Sequence, residues 1–189
     1  MKNILKLITI TIALTCMPTA GVTPEATASD YRSNYESLPA MNTKPLQVGK
    51  WHTIPKIVVC HTAPIEELSV KSAVVFWTRL GYKFRTTLYK KDTAACSDDT
   101  PNGYIVIHLV SKELREKMDT NILAETHFYV DRYTKEIGWA KIYLVTKPPK
   151  LVLEHEIGHA LGFLHYNKNG HLMHEKLIYS GWDTEGVVR

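Results

Sequence analysis

Residues 151–166 read LVLEHEIGHALGFLHY, and no other stretch limits the fold so tightly. Leu153, Ile157, Ala160 and Leu161 recur at helical spacing, which calls for a helix whose apolar surface packs against other elements. His155 and His159 stand four residues apart, so on that helix they share one face, one turn above the other. Gly162 closes the run where a positive φ lets the chain turn sharply. The fold must bury this helix and still satisfy two imidazoles and Glu156 beside it, through core hydrogen bonds or through a bound ion.

Two imidazoles one turn apart can converge on one Zn²⁺ at about 2.0–2.1 Å. Glu156, next to the first of them, can reach a water on that metal without ligating it. The turn at Gly162 can bring His165 back as a third ligand. Three protein ligands leave a position open for water, as catalytic zinc requires and structural zinc does not. With 10 glycines and 9 histidines in 189 residues, Gly162 and His165 coincide with their positions by chance about once in 400, so the pattern says more than a bare H-E-x-x-H. The helix alone leaves the third ligand open among His165, His171, His174 and Glu175. His165 is preferred, since three residues suffice to return from the turn, while His171 and His174 read as solvent-facing loop positions. Glu156 suits the general base of a hydrolysis by metal-activated water. Tyr166 and Tyr179 are the candidates for stabilising an oxyanion.

The N-terminus reads as a secretory signal. Lys2 and Lys6 precede an uncharged apolar run over residues 7–17, which as a helix spans roughly 16 Å, about half a bilayer core. Pro18 follows, and Ala26-Thr27-Ala28 offers a cleavage site, with Ala20 an earlier one. Residues 1–28 are thus expected to be removed, leaving no stable membrane anchor and a secreted, extracellular or periplasmic protein. Cys16 goes with them. Cys60 and Cys96 remain, and an oxidising compartment would join them. Residues 29–54 are polar, carry Pro39 and Pro45, and read as an extended arm or short pro-segment. The net charge of +4 comes from scattered Lys and Arg, which gives no support for nucleic-acid binding.

Strand and helix signals alternate through the rest of the chain. A β-rich run begins at Lys56, and Val70, Val74, Trp77 and Leu80 then fall at helical spacing before Gly81. Residues 82–89 alternate like a strand, and residues 104–110, YIVIHLV, read as a strand buried on both faces. A charged segment at 111–120 suggests a short helix. Strands at 127–130 and 137–145 lead to Pro148 and Pro149, which precede the histidine helix. The predicted order is β-α-β-β-β-β-α, a mixed sheet with packed helices.

His155, Glu156, His159, Gly162 and His165 meet the motif H-E-x-x-H-x-x-G-x-x-H in full, and in this the chain resembles the metzincin zinc metalloproteases. Met173, eight residues past His165, falls where that family has its Met-turn. Residues 123–128 and the following IGWAKIYL look like the matrixin version of the strand pair beside the cleft. The resemblance implies an α+β, zincin-like fold over residues 55–189. It would hold a twisted mixed five-stranded sheet, an active-site helix, a Met-turn and a short C-terminal subdomain. It also implies a secreted endopeptidase with one zinc on His155, His159 and His165. Its peptide or protein substrates would be bound by strand addition to an antiparallel edge strand. The chain departs from the pattern at Tyr166, which matches none of the well-known subgroups, and at Glu175, where astacin-like enzymes carry tyrosine. Only 16 residues follow Met173, and residues 29–54 hold no cysteine to act as a switch. Two other functions would use the same histidines: hydrolysis of a non-protein amide such as peptidoglycan, or a non-catalytic zinc-binding interaction domain. Glu156 argues against the second.

Overall fold

A computed structural model describes residues 7–11 and 43–189. The two cleavage positions, Cys16 and residues 29–42 of the arm lie outside the described residues. Five strands form a mixed sheet within the region of the expected domain. They are β2 (Lys56–Val59), β3 (Leu88–Tyr89), β4 (Tyr104–Leu109), β5 (Ala124–Val130) and β6 (Ile137–Leu144). Strands β2, β3, β4 and β6 pair in parallel, and β5 runs antiparallel to β6. Three helices accompany them: α1 (Glu67–Arg79), α2 (Lys112–Lys117) and α3 (Val152–Ala160). The mixed sheet with helices agrees with the α+β expectation.

A sixth strand departs from it. Leu7–Thr11, here β1, lies within the run expected to be a signal segment and pairs antiparallel with β5, Leu7 opposite Tyr129 and Thr11 opposite Glu125. The sheet order is β1-β5-β6-β4-β2-β3. The sequence LITIT is rich in β-branched residues, and it adds to β5 along the edge that β6 leaves free. Among the described residues no helix is long and apolar enough to cross a membrane.

Burial follows strand parity. Ile57, Val59, Ile105, Ile107, Phe128 and Ile142 face α1 and α3, where Trp77 and Ile157 complete the main core. Val58 and Val106 face the other way and are covered by the segment around Ala95. That segment is tied down by a Cys60–Cys96 disulfide, the pairing expected from the two remaining cysteines. Such a bond suggests an oxidising compartment.

One segment differs from the sequence reading, and another shows contacts that the sequence does not announce. Only the last two of residues 82–89 pair in the sheet, because Tyr82 turns its ring into the core against Trp77 and Phe163 and draws the chain off the strand path. The end of the arm does not stand apart from the domain. The indole of Trp51 donates to Ala160 O (2.9 Å), the Gln47 amide to Leu161 O (2.9 Å) and Val48 N to Gly162 O (2.8 Å). These donors occupy carbonyls that a helix C-terminus otherwise leaves unpaired. Trp77, fully buried on α1, braces the other end by donating to Glu154 O (2.8 Å).

Candidate metal centre

Helix α3 is buried beyond its apolar stripe, with only Glu154 partly exposed: His155, Glu156 and His159 are almost as enclosed as Ile157. The helix stops at Ala160, and Gly162 takes a φ of +94°, the turn its identity predicted. The reversed chain carries His165 to the two helix histidines. The three offer ligand atoms that all lie within 4.8 Å of one another, so they could hold a metal ion.

The two helix rings are oriented by their surroundings. His155 Nδ1 lies 2.7 Å from Leu172 O, and His159 Nδ1 lies 2.7 Å from Phe163 O. A carbonyl can only accept, so each Nδ1 carries the hydrogen and each Nε2 keeps its lone pair. Those two Nε2 atoms face each other at 2.7 Å. Burial, the largest cause, pushes His155 down to about 4 and His159 well below its ordinary value. Two lone pairs brought this close repel unless a cation lies between them. A shared proton would relieve that repulsion, as would a metal ligated by both nitrogens after a small separation of the rings. Carbonyls fixing the far nitrogen of a ligating histidine are the usual support of a metal site. The residues present therefore fit an ion with a preference for imidazole nitrogen.

The alternatives for a third ligand lie elsewhere. His171 donates from Nε2 to Glu185 O (3.0 Å) and accepts at Nδ1 from Met173 N (3.0 Å), so both nitrogens are committed. His174 accepts from Lys176 N at 3.0 Å. Neither belongs to the ligand group, and neither does Glu175. The expectation that His171 and His174 face solvent is wrong. His171 is fully buried and His174 nearly so, because their Nδ1 atoms stitch the turn around Met173 from inside.

Met173 is fully buried under the helix. Gly158, between the two histidines, makes room for it, since a Cβ there would fall 2.5 Å from Met173 Sδ. The Met173 carbonyl accepts from Tyr166 N at 2.8 Å, closing the loop that carries His165. The rings of Tyr166 and Tyr179 lie against His171 and His174, respectively.

Glu156 is completely buried. Burial pushes its carboxyl up to about 8, with the Thr126 hydroxyl pulling it down and the Glu125 charge pushing it up. Thr126 hydrogen-bonds Glu156 Oε2, and Oε1 has no partner among the described residues. A cation at the adjacent histidines would favour the ionised form. Sequence reasoning missed Thr126. Its signal was parity: it shares the helix-facing side of β5 with Ala124, Phe128 and Val130, and it is the one polar residue among them.

Comparisons with known proteins return no matching family model, no matching characterised protein and no matching solved structure.

Proposed function

We propose that the chain is an exported zinc endopeptidase of metzincin type. The observation that carries the reading is the convergence of His155, His159 and His165 beside a buried Glu156. His155, His159 and His165 would hold the zinc, which when bound supplies Lewis acidity to a water and to the scissile carbonyl. Glu156 takes the water's proton and later gives it to the leaving amine. The main-chain carbonyls of Leu172 and Phe163 keep the rings in the tautomer that presents Nε2. The Met173 floor under α3 fits the Met-turn of that group.

A peptide substrate is supported by the outer edge of β5, which accepts an extended antiparallel segment at residues 125–129. The disulfide accords with export. Purified protein is expected to degrade unfolded casein, to stop when zinc is chelated and to resume when zinc is restored. Glu156→Gln should keep one zinc per chain and lose hydrolysis by about 10²–10⁴-fold, the usual contribution of a general base. Cleavage of a peptidoglycan amide with casein untouched would overturn the peptide reading.

A further inference from the structure

Glu156 is held at one carboxylate oxygen only. Thr126 Oγ1 bonds Oε2, while Oε1 is buried with no partner among the described residues. A second contact, 3.3 Å from Thr126 Oγ1 to the Glu156 carbonyl, ties β5 to the same helix residue. Thr126 and Glu156 are both 0% exposed, and a hydroxyl buried on an apolar strand face is costly unless it is bonded. With a cation at the neighbouring histidines the carboxylate is ionised and can only accept, so Thr126 then donates to Oε2. The terminal torsion of a glutamate is broad and ill-defined when left alone. A base that must meet one water in one orientation gains from having that torsion fixed.

We infer that Thr126 is a positioning residue for Glu156: its donation to Oε2 fixes the carboxylate and leaves Oε1 as the oxygen that receives the water's proton. This role rests on the hydrolase reading above. In the step it serves, the water's O–H bond breaks and its proton passes to Oε1. The electron pair stays on the water oxygen, which bonds to the scissile carbonyl carbon. The carbonyl π pair moves onto the carbonyl oxygen. When it returns, the C–N bond breaks, its electron pair stays on the amine nitrogen, and the proton passes from Oε1 to that nitrogen. Thr126 itself exchanges no proton.

The test compares Thr126→Ser with Thr126→Ala, which differ by a single oxygen, alongside Thr126→Val. Each is read for kcat and KM on a casein-derived peptide, for zinc per chain and for melting temperature. The carboxyl ¹³C resonance of Glu156, assigned with Glu156→Gln, reads the contact without turnover. Loss of the hydroxyl should lower kcat by about 10–100-fold, as removal of an orienting partner commonly does. KM and one zinc per chain should be unchanged, and the Glu156 resonance should move. Thr126→Ser should stay near the wild type in both kcat and resonance. If Thr126→Val does not fold, the Ser and Ala pair decides alone. Equal kcat in Ser and Ala variants, both folded and zinc-loaded, overturns the role. Wild-type protein that hydrolyses no peptide instead overturns the hydrolase reading and the role with it.

Discussion

Replacing Gly162 with alanine should damage this protein far more than the loss of a flexible residue ordinarily does. Two separate effects act there. The backbone sits at φ +94°, a left-handed conformation that costs an L-residue about 1–2 kcal/mol. The added Cβ would also lie 2.3 Å from Gly49 O and 3.1 Å from Ile137 Cδ1. The first contact is with backbone, so no side-chain rotation relieves it. Gly162 O accepts from Val48 N at 2.8 Å, so the strap over residues 47–51 and the turn must move apart together. Overpacking of this kind costs about 1–3 kcal/mol. The sum, about 2–5 kcal/mol, is a large share of the total stability of a domain this size.

Gly170→Ala separates the two effects. Its φ is +82°, but a Cβ there meets nothing within 4 Å, so only the conformational cost of about 1–2 kcal/mol applies. Urea unfolding of metal-free protein should show Gly162→Ala losing more stability than Gly170→Ala. Zinc titration should weaken only in Gly162→Ala, because His165 follows that turn by three residues. Equal losses in the two variants, with equal zinc affinity, would refute the claim that the Gly49 carbonyl dictates this position.

His165→Ala should cut zinc binding sharply while His171→Ala retains one zinc per chain, measured by metal analysis after dialysis; the reverse would move the site. Unreduced protein should show no alkylation at Cys60 or Cys96. Closing a loop with the 36-residue separation of Cys60 and Cys96 should make the oxidised form more stable to denaturant by about 4 kcal/mol. His108 is pushed down to about 4, chiefly by burial and then by Lys141, against the pull of Asp98. The unfolded chain takes up that proton near its ordinary value of 6.5 and the folded chain resists it until about 4. Stability should be intact above about pH 6.5 and decline as pH falls through that window. The loss, discounted for partial solvent screening, is about 1–2 kcal/mol. His108→Phe should flatten the decline in melting temperature. A chain beginning at Ser29 should hydrolyse peptides faster than one retaining residues 1–28, since β1 no longer covers β5; equal rates would mean that this edge does not take substrate.

The parts of the structure written in short-range pattern were legible. Helix α3, its stop at Gly162 and the shared face of His155 and His159 follow from spacing within a dozen residues. Helix α1 and its end before Gly81 follow in the same way. Where the outcome depends on a distant partner, local pattern misleads. Residues 82–89 alternate like a strand, yet Tyr82 finds Trp77 and Phe163, and only Leu88–Tyr89 pair. His171 and His174 look like loop polar residues, yet their ring nitrogens accept the main-chain N–H groups that shape the turn at Met173 and Lys176. The arm shows no periodicity of its own, and its described end is held by distant partners: Trp51 and Gln47 donate to the carbonyls at the end of α3.

Strand β5 collects the contacts that no local pattern could reveal. Its backbone edge takes β1, with Ile10 opposite Thr126, and the Thr126 side chain reaches through the core-facing side to Glu156. One residue thus belongs both to the edge where an extended segment is added and to the anchor of the buried carboxylate. In a strand, successive side chains point to opposite faces while the hydrogen-bonding groups lie in the plane of the sheet. That geometry lets a single position serve both purposes without competition. A threonine suits it, with a β-branched body on the same strand face as Ala124, Phe128 and Val130 and a hydroxyl that the helix supplies with a partner. The β1 pairing and the Thr126–Glu156 contact are therefore mechanically adjacent, and a displacement of β5 along its own axis would disturb both at once.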